Sequence, residues 1–323
     1  MNKKKLPETD VDHLQKDGRY QGVAVLIPCY NEELTIGKVV REFAAVLPGA
    51  TIFVFDNNST DKTAMLGAES GAMIVHSPRQ GKGNVVKHMF ADVEADIYLM
   101  VDGDDTYPAA SAPDLIKAIS DGGVDMVVGA RLSSYREGSF RRFHQFGNHL
   151  VATLISRLFS AKVTDVMSGY RAFSKPFVKS APLISRGFEI ETEMTLQTLA
   201  KHFIIKEIPI QYGKRPDGSH SKLNTFTDGF LVLKSLFMIF KDYKPLVFFS
   251  VLGLALFFIT IAAGFLPVID YMKTRFVAHV PLAILATGTG ILTVLSFSIG
   301  LILDTISRYH NENFELIRRL LKK

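Results

Sequence analysis

From Val23 onward the chain alternates short apolar runs with longer amphipathic ones. The runs Val23 to Ile27, Thr51 to Phe55, Ala72 to Val75, Ile97 to Val101 and Asp125 to Val128 are each followed by polar residues or glycine, the pattern of buried strands. Between them, the stretches around Glu33 to Leu47, Asp61 to Ser70, Gly83 to Val93 and Pro113 to Ile119 are long enough for crossover helices. Such alternation predicts an α/β domain with a mostly parallel sheet covered by helices on both faces. Ligands of these sheets bind at the carboxyl ends of the strands, so the polar clusters just after each run are the candidates for chemistry. Further on, Glu189 to Lys201 reads as a helix, Ile204 to Pro209 as another strand, and Gln211 to Asn224 as a polar loop with several basic residues.

The pattern then changes. No Asp, Glu, Lys or Arg occurs between Lys244 and Asp270, nor from Val280 to Leu303. At about 1.5 Å per helical residue each run covers a hydrocarbon core of roughly 30 Å. Two membrane helices are predicted. Lys234, Lys241 and Lys244 precede the first and Arg308, Arg318, Arg319, Lys322 and Lys323 follow the second, against Lys273 and Arg275 in the connection; the positive-inside bias puts both ends in the cytoplasm. Phe226, Phe230, Leu233, Phe237 and Phe240 recur at helical spacing among Lys234 and Lys241, as in an amphipathic helix lying in the interface or one packed on a core. The organisation expected is a polar segment 1–20, a domain 21–224, a juxtamembrane helix 225–243, spans 244–271 and 278–306, and a basic tail 307–323. Met1 to Gln21 holds no apolar stretch that could serve as a secretory signal, so the first domain is expected to stay on the side where it is made.

Composition narrows the chemistry. The 323 residues are enough for a large core without staples, and the single cysteine, Cys29, excludes a disulfide framework or Cys-rich zinc site. Cys29 is expected to be a small core residue. A formal charge of +5 suits anionic partners, a phosphorylated substrate or a membrane surface; nucleic acid is not expected as a partner. The uncharged spans argue against a transport path, which needs polar or ionisable side chains.

Three clusters stand at predicted strand ends. The first run leads into Pro28-Cys29-Tyr30-Asn31-Glu32-Glu33 and the second into Asp56-Asn57-Asn58-Ser59-Thr60-Asp61. Carboxylates there can hold ribose hydroxyls, and a Tyr ring offers a face to a base. Helix capping is the competing explanation for Asn31, Ser59, Thr60, Glu33 and Asp61, though not for Asp56, which ends an apolar run. The fourth run leads into Asp102-Gly103-Asp104-Asp105-Thr106, where an Asp-x-Asp pair can hold a divalent cation whose shell is completed by water and phosphate. Gly81-Lys82-Gly83 lacks the full phosphate-loop spacing; Lys82 can reach a phosphate or simply be solvated.

The order of these clusters resembles the dolichyl-phosphate mannose synthases and bacterial polyprenyl-phosphate glycosyltransferases of glycosyltransferase family 2. Gly129-Ala130-Arg131, Ser168-Gly169-Tyr170-Arg171, Arg215 and Ser221-Lys222 complete the match, which covers roughly Val23 to Asn224, and the two spans are similar to the bacterial two-helix branch. The resemblance implies a Rossmann-like GT-A catalytic domain that takes a hexose from a nucleotide-sugar, with Mg2+ or Mn2+, to a polyprenyl phosphate. It places Pro28, Tyr30, Glu32 and Asp56 around base and ribose, and Asp102, Asp104, Arg215 and Lys222 on the nucleotide-sugar; the residues themselves add Lys82 and Gly103 as candidates there. Asp102 and Asp104 would bind the metal, and Arg131 a phosphate. Thr106 stands where the family often has Gln or Glu two residues after the acidic pair, which leaves that position's part in metal binding open.

An inverting transfer needs a neutralised leaving diphosphate and an aligned nucleophile. A phosphate monoester is already ionised at neutral pH and hardly needs a base. Positive charge must position it instead, and Arg131, Arg141, Arg142 and Arg171 are the supply, with Arg141 and Arg142 equally suited to a membrane surface. Glu189 and Glu193 share a helix face while Glu191 points elsewhere; two of the three are expected to be ordinary helix charges. A processive synthase would carry a Gln-x-x-Arg-Trp segment, and this chain has no tryptophan. An enzyme acting on a lipid hydroxyl and an inert nucleotide-sugar-binding scaffold are the remaining alternatives. Membrane lipid is an expected partner, and exposed spans commonly self-associate into homo-oligomers.

Overall fold

The computed structural model describes residues 20–132, 139–187, 189–213, 215, 216, 237, 238 and 240–321, excepting the side chains of 132, 139–147 and 317–321. The chain divides into two compact units, Met1–Gly229 and Phe230–Lys323.

The first unit is built on strands β1 (Val23–Cys29), β2 (Thr51–Asp56), β3 (Met73–His76), β4 (Ile97–Met100), β5 (Met126–Leu132), β6 (Arg171–Ser174) and β7 (Ile205–Gln211). They form one sheet in the order β3-β2-β1-β4-β6-β5-β7. β1 pairs in parallel with β2 and β4, β2 with β3 and β5 with β7, whereas β6 is antiparallel to both β4 and β5. Reversal of that one strand has a useful consequence: its start, Arg171, lies at the edge where all the other strands end. Helices α1 (Ile36–Val46), α2 (Thr63–Glu69), α3 (Lys82–Asp92), α4 (Ala112–Ser120), α5 (Ser139–Phe159), α6 (Lys175–Ser180) and α7 (Ile190–Ala200) complete the unit.

The core follows from the strand pattern. Val25, Leu26 and Ile27 of β1 are fully buried, as are Ile36, Val40 and Phe43 on one stripe of α1. Each such side chain contributes about 1.5–3 kcal/mol by leaving water. Cys29 is buried among them, as its size suggested.

Three elements were not anticipated: β6, α5 and the short α6. β6 is only four residues long and opens on a charge, so its strand character comes from neighbours on both sides rather than from its own pattern. α5, of 21 residues, begins with polar and basic residues and carries Gly147, which masks its amphipathic period.

The second unit contains α8 (Pro245–Thr274) and α9 (Val280–Leu321), of 30 and 42 residues. Both are long and apolar enough to cross a membrane, and α9 continues well past the predicted end of its span at 306. They pack against each other through small residues: a Cβ on Gly253 would meet the Phe297 ring at 2.9 Å, and one on Gly300 would meet Phe249 at 2.9 Å. Close approach through small residues is how helices associate in a bilayer, where no hydrophobic force drives them together. The Thr260 hydroxyl donates to Thr289 Oγ1 at 2.8 Å across the same interface. At the connection, Asp270 Oδ2 accepts from the backbone of Ala278 and His279, both at 3.2 Å. The predicted juxtamembrane helix 225–243 lies largely outside the described residues.

Candidate active site

The loops after β1 and β2 hold each other. Asn31 donates its backbone N–H to Ser59 Oγ at 2.9 Å and accepts from Thr60 N–H at 2.8 Å, while Glu33 N–H meets Asp61 Oδ2 and Lys62 N–H meets Glu33 Oε2, both at 3.1 Å. The polar residues that capping could have explained are thus an inter-loop clasp; the residues at the cap positions are Thr35 and Lys62. Asn31 takes a left-handed backbone, φ 54°, which asparagine tolerates better than most side chains. Tyr30 remains on the surface and Pro28 and Glu32 half-buried beside it.

Asp56, at the end of β2, is 7% exposed. Its Oδ2 accepts from Ser59 N–H at 3.3 Å, and Oδ1 has no partner among the described residues. A buried acceptor left this way is costly without a ligand, which suits a ribose hydroxyl or base N–H. Asn57 beside it holds the next loop, accepting from Gly81 N–H at 2.8 Å and donating to the carbonyls of Ser77 and Arg79.

After β4, Asp102 and Asp104 stand on a turn that α1 braces, since the Thr35 hydroxyl donates to Gly103 O at 2.6 Å and Lys38 Nζ to Asp105 Oδ2 at 2.6 Å. Gly103 is required here, because a Cβ would meet Cys29 Sγ at 2.7 Å. Thr106 donates its hydroxyl to Asp104 Oδ1 at 2.5 Å. The residue that departs from the family pattern therefore orients the second aspartate. Arg215 Nη2 lies 2.5 Å from Asp104 Oδ2. Burial and the charge of Asp102 push the Asp104 carboxyl above its usual range, so the pair gains from an added cation. Among the described residues no group of three or more His, Cys, Asp and Glu gathers. Two carboxylates plus ligand phosphates are the donor set that Mg2+ or Mn2+ accepts, and the residues present fit such an ion.

Lys82 is not solvated. Its Nζ lies 2.5 Å from Asp102 Oδ1 and 2.5 Å from Glu191 Oε1. Burial alone would lower its pKa, but the two carboxylates outweigh that and hold it well above the usual lysine range. Glycines flank Lys82 because the 185–186 backbone crosses over them: a Cβ on Gly83 would meet Ser185 O at 2.5 Å, and one on Gly81 would run into Arg186 O. That crossing is pinned by Glu193 of α7, which accepts from Ile184 and Ser185 N–H at 2.8 Å each, and by Glu189 just before the helix, which accepts from Arg186 and Gly187 N–H at 3.2 and 3.1 Å. Glu189 and Glu193 are thus backbone acceptors, and Glu191 is the one turned inward. Burial raises the Glu191 pKa against the pull of Lys82, and its Oε2 has no hydrogen-bond partner among the described residues. The signal in the sequence was a face of Glu191, Thr195 and Thr198, all buried.

Arg131, the penultimate residue of β5, lies beside Asp165 and under Tyr212, whose ring centre is 5.5 Å from its guanidinium carbon. Arg171, expected on the acceptor phosphate, is fully buried. Its guanidinium donates to Ser168 O at 2.8 Å, Val166 O at 2.6 Å and Thr195 Oγ1 at 2.9 Å, and burial pushes its pKa down to about 10. The expectation is corrected: Arg171 is enclosed in the fold, where it ties the 166–168 turn to α7. The reason is its place in β6 between β4 and β5, where its side chain meets Thr195 of the covering helix α7. Lys222 and the side chains of Arg141 and Arg142 lie outside the described residues.

Comparison with known proteins gives the kinship of this arrangement. The model of the family described as Glycosyl transferase family 2 matches residues 24–180. Protein RfbJ of Shigella flexneri is 52% identical over 123 residues, 38% of this chain and 95% of that protein. Glycosyltransferase AglJ of Haloferax volcanii is 31% identical over 302 residues, 92% of this chain and 98% of AglJ. A protein of the same organism named dolichyl-phosphate hexose transferase is 28% identical over 67% of this chain and 93% of its own length. Among solved structures, Mycobacterium tuberculosis glucosyl-3-phosphoglycerate synthase, in a complex with Mn2+, UDP and glucosyl-3-phosphoglycerate, superposes with a TM-score of 0.56 at 22% identity, covering 68% of this chain and 79% of that one. The last likeness is one of fold, GT-A.

Proposed function

We propose that this chain, which belongs to glycosyltransferase family 2, transfers a hexose from a nucleotide-sugar to a polyprenyl phosphate at a membrane surface, with inversion at the anomeric carbon. The observation that carries this reading is the meeting of two acidic side chains, Asp102 and Asp104, with Lys82 and Arg215 at the carboxyl edge of the sheet. Relatives named for dolichyl-phosphate transfer support the acceptor class, and helices α8 and α9 support a tether where a lipid headgroup lies.

Asp56, Tyr30, Pro28 and Glu32 receive base and ribose, the buried Asp56 Oδ1 supplying the acceptor that discriminates between ligands. Asp102 and Asp104 would hold Mg2+ or Mn2+, which when bound supplies positive charge against the leaving diphosphate. Arg215 and Lys82 stand ready to share that charge, and Lys222 belongs to the same reading. Arg131 orients the acceptor phosphate, with Arg141 and Arg142 as its further candidates. No proton has to be removed, because the phosphate oxygen is already ionised. The domain and both termini face the cytoplasm, following the lysines and arginines that flank the spans.

Incubation of the full chain in vesicles with radiolabelled UDP- and GDP-hexoses, undecaprenyl or dolichyl phosphate, and Mg2+ or Mn2+ tests this directly. A chloroform-soluble labelled product that disappears with EDTA and with Asp104→Ala supports it. Bound nucleotide without product would mark a scaffold, and label on a lipid hydroxyl would mark the other enzyme class.

A further inference from the structure

Arg131 does not stand alone. Its Nε donates to Asp165 Oδ2 at 2.7 Å, its Nη2 to Oδ1 at 2.8 Å, and its backbone N–H to Oδ2 at 3.0 Å. A carboxylate met by two guanidinium nitrogens fixes the plane of the cation as well as its position. Asp165 is 4% exposed and is itself held. Asn148 of α5 donates to its Oδ1 at 3.2 Å and accepts from Val166 and Met167 N–H at 3.2 and 3.3 Å. Glu207 of β7 accepts from Thr164 N–H at 2.8 Å, the Thr164 hydroxyl at 2.6 Å and Asp165 N–H at 3.1 Å. Side chains from α5 and β7 therefore converge on one turn, and that turn grips the end of β5.

A carboxylate this close weakens a cation as a plain attractor of anions. What it supplies is direction: a long side chain loses its rotamer freedom before the substrate arrives rather than on binding it. We propose that Asp165 is a positioning residue for Arg131 and that Asn148 carries this restraint from α5, so that alignment of the acceptor phosphate depends on both. The inference rests on the reading of Arg131 as an acceptor ligand.

The test uses the full chain with Asp165→Asn, Asn148→Ala and Arg131→Lys, measuring KM for nucleotide-sugar and for polyprenyl phosphate separately. In parallel, the rate at which phenylglyoxal modifies Arg131 is followed by peptide mass spectrometry. Asp165→Asn is expected to raise the acceptor KM by roughly ten- to a hundredfold with the donor KM moved less than about threefold, and Asn148→Ala to do the same more weakly. Arg131 should label faster in both. The inference is overturned if Arg131→Lys loses the acceptor while Asp165→Asn keeps it, or if Asp165→Asn raises both KM values alike, as a purely structural pin would. An acceptor KM untouched by Arg131→Lys removes the premise and the inference together. Should Asp165→Asn fail to fold, Asn148→Ala decides, and unchanged labelling of Arg131 in that variant overturns the positioning independently of any activity.

Discussion

Lys82 Nζ and Glu191 Oε1 stand 2.5 Å apart, although more than a hundred residues separate them along the chain and a third charge, Asp102, shares the same ammonium. Each of the three groups is placed by a different element: the start of α3, the first turn of α7 and the end of β4. Their burial makes the arrangement interdependent, since a charge left without its partner there is far costlier than one at the surface.

Lys82→Met should therefore cost about 3–5 kcal/mol of stability, as breaking a buried pair does. Chemical denaturation of the single variants Lys82→Met and Glu191→Gln and of the double variant checks this. The double variant is expected to be more stable than the sum of the two losses; strict additivity would mean the pair is not coupled.

Gly169 faces the Asp102 carboxylate so closely that a Cβ there would collide with Oδ2. Gly169→Ala is expected to push Asp102 out of place and lower kcat/KM at least about tenfold, with a rise in the metal concentration needed for half-maximal turnover. Titration of Mg2+ and Mn2+ against initial rate separates this from a general loss of folding, which would leave the metal requirement of the surviving enzyme unchanged.

The Asp165 carboxylate would be raised by burial alone, but hydrogen bonds from Arg131 and its charge hold it below the usual aspartate range. A folded pKa lower than the unfolded one means that ionisation stabilises the protein. This contribution is complete above the unfolded value, about 3.9, and is lost as pH falls through the folded value. Thermal unfolding of wild type and Asp165→Asn across pH should show a gap in Tm that is wide at pH 7 and narrows in the acid range. A gap independent of pH would assign the stability to packing instead.

Membrane orientation is open to chemical labelling. In a Cys29→Ser background, Ala278→Cys, in the connection between α8 and α9, should react with an impermeant maleimide added outside intact cells. A cysteine replacing Ser111, at the start of α4, should react only after the membrane is opened. Labelling in the reverse order would overturn the cytoplasmic placement of the catalytic domain.

Much of the fold was legible because period and burial are local. The strands β1 to β5 and β7, helices α1 to α4 and α7, and the two long apolar helices each declare themselves by which side chains must leave water. β6 did not, since four residues beginning with arginine carry no period and become a strand only between β4 and β5. The site divides the same way. Asp56, Asp102 and Asp104 could be found as polar residues that end apolar runs, and the structure places them together at one sheet edge.

What no run of residues announces is which charges meet. The sequence by itself determined the α/β domain, the apolar segments long enough for a membrane, and the acidic turn after β4. Only the tertiary structure decided that Glu191 rather than Glu189 or Glu193 turns inward to Lys82, that Arg171 is fully buried, and that Asp165 grips Arg131. The physical reason is that hydrophobic periodicity is written within a single element, whereas an ion pair is made between elements whose order in the sheet is not their order in the chain.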